Sequence, residues 1–78
     1  MAKIRDKKLI KAIALTSKKI RKDLGITQSE VSFETGLHIA RIEAEEREAT
    51  ISSIHKLCKF YGVSLSQFFK EVEKHYKP

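Results

Sequence analysis

Seventy-eight residues hold one small domain: 41% apolar content permits a modest core, and 33% charged content gives it a hydrated surface. No apolar run approaches the ~20 residues of a membrane helix, and Met1 to Ile4 opens no signal-peptide stretch, so a cytoplasmic protein with no membrane partner is expected. Sixteen Lys and Arg against ten Asp and Glu leave a formal net charge of +6, which favours an anionic partner without identifying it, and the lone Cys58 excludes an internal disulfide and a cysteine-based zinc site.

The only proline is the last residue, Pro78, and no segment alternates apolar and polar residues between turn signals, so the chain reads as all-α. Five helices are predicted. After a basic N-terminal extension over residues 1–8, the first runs from about Asp6 to Leu24 and stops at Gly25. It lines Leu9, Ile13, Ile20 and Leu24 along one side, with Ser17 as the weak point of the stripe. Thr27 opens the second, with Glu30 three positions on completing a capping box. Ser32, Glu34, Thr35 and Gly36 are weak helix residues in quick succession, so this helix is expected to last about two turns and to turn near Phe33 and Glu34. Thr35 then caps a third helix, over about 35–44, whose Ile39 and Ile42 share an inward face. Its outer side carries Gly36, Leu37, His38, Ala40 and Arg41. The fourth helix, about Ile51 to Tyr61, follows Thr50 as cap, buries Ile51, Ile54, Leu57, Cys58 and Tyr61, and stops at Gly62. Cys58 is read as core filler. The fifth follows a Ser64–Gln67 capping box and carries Leu65, Phe68, Phe69, Val72 and Tyr76, with residues 70–78 as its end and tail.

Two short helices joined by a tight turn over Ile26 to Glu43 form the pattern of a helix-turn-helix, and the outer residues of the second offer a DNA groove one cation, one imidazole and close backbone approach. On these residues the chain resembles the lambda-repressor-like, Cro/repressor-type family of helix-turn-helix DNA-binding domains, also called the xenobiotic-response-element family. The likeness covers about Ile13 to Phe69. Its most specific parts are Arg21, the turn from Gly25 to Gln28, the Arg41-Ile42-Glu43 triplet and the run from Ile51 to Phe69. The resemblance implies a compact five-helix bundle with helix three in the major groove of double-stranded DNA. It further implies sequence-specific transcriptional regulation, with palindromic operators bound by a homodimer.

Three features depart from the family pattern. Gln28 and Glu43 stand three residues closer than usual, so about one helical turn is missing. The loss is assigned to helix two, because Gly36 as the turn glycine would leave the recognition helix very short. Glu45 stands where the family usually has a glycine, and Ala49 where it usually has a proline. The third departure is charge: residues 27–50 sum to −4, whereas residues 1–23 sum to +7 and residues 51–78 to +3.

The candidate DNA contacts follow from position. Gln28, first in helix two, offers its amide to a phosphate or a base edge, with Ser29 beside it. Thr35 caps a helix whose amino end favours a phosphate, and Gly36 and Leu37 follow it. His38 either hydrogen-bonds a guanine or phosphate or stays solvated. Arg41 either takes the bidentate guanine contact or pairs with Glu45 or Glu34. Arg47 is placed on a phosphate, and Glu43 is read as a structural tie. Lys3, Arg5, Lys7 and Lys8 either neutralise phosphates as an arm or helix face or form a solvated surface. The competing reading is a protein-interaction module that has lost DNA binding, with Phe68, Phe69, Val72 and Tyr76 contacting another chain; the same residues would alternatively serve homodimerisation of a DNA-binding regulator. No nucleophile, base and orienting group stand together, and His38, His55 and His75 lie on different helices without metal-ligand spacing, so no enzyme, cofactor or metal is expected.

Overall fold

Four of the five helices start on a side chain that takes up a free backbone N–H. In the computed structural model, which describes residues 6–76, these helices are α1 (Lys7–Asp23), α2 (Gln28–Thr35), α4 (Ile51–Tyr61) and α5 (Leu65–His75), with α3 (Ile39–Glu43) between them. Asp6 accepts from the Leu9 N–H at 3.0 Å, and Thr50 from that of Ser53 at 3.0 Å. Thr27 with Glu30, and Ser64 with Gln67, form complete capping boxes. Lys7 and Lys8 belong to α1, whereas Lys3 and Arg5 of the expected N-terminal arm lie outside the described residues, as do Lys77 and Pro78.

The turn between α2 and α3 falls later than the propensities of Ser32 and Thr35 suggest. α2 does not turn at Phe33 and Glu34 but continues through Thr35 and closes on Gly36, whose φ of +75° is left-handed backbone that a glycine adopts without a Cβ penalty. Ser32 and Thr35 each have a partner. Thr35 Oγ1 donates to the Val31 carbonyl at 2.7 Å, Ser32 Oγ accepts from the Ile39 N–H at 3.4 Å, and Val31 is fully buried. Thr35 therefore ends α2 and does not cap α3. His38 occupies the N-cap position of α3 without a side-chain capping bond. The missing turn has been removed from the recognition helix, which is five residues long, and not from helix two.

α4 is the hub. Ile54 and Cys58 face a cluster with Ala12 and Ile13 of α1 and Phe68 and Val72 of α5, while Leu57 and Tyr61 face Val31, Ile39 and Ile42 of the helix-turn-helix. Burial pushes the Cys58 thiol up from its ordinary value, in keeping with core filler. Ile51, expected in the core, is exposed at the first position of α4. α1 buries a wider arc than the single stripe read from its sequence, because α3, α4 and α5 all pack on it. Ile10, Ala12, Ala14 and Ser17 are inside with Ile13, and Leu9 and Leu24 reach solvent. Ser17 is thus a core residue, its hydroxyl sharing a 3.1 Å hydrogen bond with the Tyr61 hydroxyl. Phe68 and Val72 are buried, and Phe69 and Tyr76, half-buried, pack against them. Among the described residues no helix is long and apolar enough to cross a membrane.

Candidate nucleic-acid interface

The recognition segment is held from behind by one buried polar network. Arg21 of α1 donates from Nε and Nη2 to the two carboxylate oxygens of Glu43 at 2.9 and 3.0 Å, and from Nη1 to the Ile26 carbonyl at 2.9 Å. Gln28 Nε2 donates to the same carboxylate at 3.0 Å. The Glu43 hydrogen bonds hold the Arg21 guanidinium above its ordinary pKa, outweighing the opposing effect of burial. The Glu43 carboxylate at the end of α3 therefore ties α1 to the first residue of α2, and Arg21 itself holds the α1–α2 turn. Ile39 and Ile42, both buried, fix the inner face of the same short helix.

What remains outside is a narrow strip. Ser29, Gly36, His38, Ala40, Arg41 and Arg47 are exposed, and Gln28, Thr35 and Leu37 are half-buried. Gly36, Leu37, His38 and Arg47 line one cleft of about 170 Å³ together with Thr50 and Ser53 at the start of α4. Arg41 stands outside that lining, on the exposed side of α3. Among the described residues it makes neither of the ion pairs with Glu34 or Glu45 that sequence spacing allows. Gln28 commits an N–H to Glu43, so its amide is positioned but partly occupied. Thr35 is turned back on its own helix, donating to the Val31 carbonyl, and also accepts from the Leu37 N–H at 3.2 Å. Ser53 was not a candidate from sequence, since only the fold brings it beside residues fifteen positions earlier.

The loop after α3 keeps a left-handed residue although its glycine is absent. Glu45 adopts φ +64°, with the Glu45 N–H on the Ile42 carbonyl and the Glu46 N–H on the Arg41 carbonyl, a helix-closing turn that costs a non-glycine residue about 1 kcal/mol. Among the described residues no group of His, Cys, Asp and Glu is arranged to hold a metal ion.

The helix-turn-helix family pattern matches residues 18–68, which span this network, the turn and the cleft. The chain belongs to the helix-turn-helix family. It is 42% identical over 62 residues to the HTH-type transcriptional regulator PuuR of Escherichia coli K12, and equally to that of Shigella flexneri. These alignments cover 76% of this chain but 34% of PuuR, so the chain spans about a third of the length of the curated relatives it matches. Among solved structures it is similar to the restriction-modification controller protein C.Esp1396I, a tetramer in complex with its natural 35-base-pair operator. The TM-score is 0.80 at 31% identity, over 87% of this chain and 93% of that one. The lambda-repressor-like, five-helix arrangement expected from the sequence is therefore the family's own.

Proposed function

We propose that this chain is a sequence-specific, double-stranded-DNA-binding transcriptional regulator that acts as a homodimer in the cytoplasm. The observation that carries the reading is a firmly backed segment, Gly36 to Glu43, with Arg41 on its outside making no ion pair among the described residues. The likeness to an operator-bound controller protein and to a transcriptional regulator supports it.

A helix of five residues is roughly 7 Å long, less than the ~12 Å width of the major groove, so α3 enters by its amino end and does not lie along the groove. Base contacts then fall to the Gly36–His38 turn and to Arg41, whose planar fork suits the O6 and N7 of guanine. Arg47, with Thr50 and Ser53, takes a phosphate at the cleft edge and sets register without reading sequence. Gln28 and Ser29 hold the neighbouring backbone from the start of α2. Because residues 27–50 carry net −4, most of the attraction to phosphate comes from the basic flanking segments, which sum to +7 and +3.

Selection of bound sequences from a random duplex pool near physiological salt, with a His38→Ala/Arg41→Ala double variant in parallel, tests the reading. An inverted repeat enriched by the parent chain and lost in the variant is the expected result. No enrichment, or salt-sensitive binding that the variant keeps in full, overturns it in favour of a helical interaction module.

A further inference from the structure

The solvent side of α1 is mostly lysine. Lys7, Lys8, Lys11, Lys18, Lys19 and Lys22 are all exposed, and Asp23 is the helix's one acid. Where α5 packs on α1 a second row begins: Lys70 and Lys74, one helical turn apart, line a groove of about 370 Å³ together with Lys19, and Glu71 is the one acid in its wall. Lys74 donates to Glu71 at 3.1 Å, and that bond, with Lys19 and His75 nearby, holds the Glu71 carboxyl below its ordinary range. Lys19 pairs with Asp23 at 3.4 Å, whereas Lys70 makes no ion pair among the described residues. Ion pairs this exposed contribute little and leave the lysines open to another anion.

The groove lies away from the recognition segment. Lys19 stands two residues before Arg21, hence about 200° round α1 from the side chain that reaches Glu43 of α3. Val63, beyond the carboxyl end of α4, lines the groove, whereas Thr50 and Ser53 at the amino end of α4 line the cleft that holds His38 and Arg47. The eleven residues of α4 put about 16 Å between those ends. A straight duplex seated on α3 therefore does not reach Lys70 and Lys74.

The walls of the groove decide among anionic partners. Ile20 and Val63, its apolar lining residues, are half-buried and packed into the core, so neither is left to enter a membrane or to anchor a protein partner. Attraction is then electrostatic and grows with the number of charges the ligand presents along its length, which a nucleic-acid backbone supplies. We propose that the α1–α5 groove takes the backbone phosphates of a second DNA duplex, on Lys19, Lys70 and Lys74, while the recognition segment holds the first. This adds a surface to the proposed function and rests on that reading only for the first duplex.

Amide chemical-shift mapping of the full chain at ~50 mM salt is the test, with a random-sequence duplex of about 12 base pairs raised to excess. Lys70→Gln/Lys74→Gln is the groove variant. Lys56→Gln/Lys59→Gln, which removes the same charge from α4, is its control, and circular dichroism checks the helix content of both. In the parent and the control, the amides of Ile20, Val63 and Gln67 are expected to go on shifting after those of Gly36 to Arg41 have saturated. In the groove variant their half-saturating duplex concentration should rise at least about fivefold, while Gly36 to Arg41 behave as in the parent. The inference is overturned by a groove that does not shift, that shifts in step with the recognition segment and stops with it, or that responds alike in the groove variant and the control. An equal response to polyglutamate also overturns it, in favour of an acidic protein partner. Shifts at the groove alone uphold it as a DNA surface and refute the proposed function, whereas shifts at the recognition segment alone refute the groove and leave the proposed function standing.

Discussion

Arg21 and Glu43 are almost wholly removed from water, and each satisfies the other with two parallel hydrogen bonds. Removing one partner of such a pair leaves a buried charge without compensation, so Glu43→Ala is expected to destabilise the fold by about 3–5 kcal/mol in urea titration. A loss below ~1 kcal/mol would mean the network does not hold α3. Arg41 makes the opposite case, because it is exposed and, among the described residues, without an ion pair, so little of the fold depends on it. Arg41→Ala should leave urea stability within ~0.5 kcal/mol and lower affinity for the preferred duplex by about 1–3 kcal/mol. A variant that prefers that duplex over a scrambled one by the same factor as the parent would remove Arg41 from base reading. The structural role of Glu43 was legible from sequence, but its partner Arg21, twenty-two residues earlier, became visible only in the fold. The nearness of His38 to Arg47 and Ser53 was not, since the packing of α3 against α4 decides it.

The α2–α3 junction shows how an element boundary is set. Judged by intrinsic propensity, Ser32 and Thr35 end a helix early; judged by the partners the fold gives them, they complete it. The sequence signals that survived at Thr27, Thr50, Ser64 and Gly62 are local ones, a cap or a left-handed stop whose partner lies within four residues. Ile51 was misread because its burial depends on neighbours far along the chain, and the same distance hid the Tyr61 partner that makes Ser17 a satisfied core residue. Gly36 makes the junction testable. Nothing lies within 4 Å of the position its Cβ would take, so any cost of Gly36→Ala comes from the left-handed backbone alone, about 1 kcal/mol. Thermal unfolding should shift down by a few degrees. No shift would show that the turn relaxes away from φ +75°.

At the scale of the whole molecule the charge is divided, with an acidic helix-turn-helix between basic flanks, and the proposed DNA binding would therefore draw affinity and specificity from different parts of the chain. The ends of the fold are joined as well: Tyr76 at the close of α5 donates its hydroxyl to Asp6 at the start of α1 at 3.2 Å, and this bond holds the phenol above its ordinary pKa. Lys7 and Lys8, exposed on the first turn of α1, lie just beyond that junction. If they neutralise phosphates, every phosphate left without its lysine lowers the slope of log affinity against log salt by about 0.9. A Lys7→Ala/Lys8→Ala chain should therefore show a slope shallower by roughly 1–2 while selecting the same sequence as the parent. Arg41→Ala should do the reverse, changing the selected sequence more than the slope. An unchanged slope in the double-lysine chain would make those residues a solvated helix surface and move the phosphate contacts to Arg47 and the start of α4.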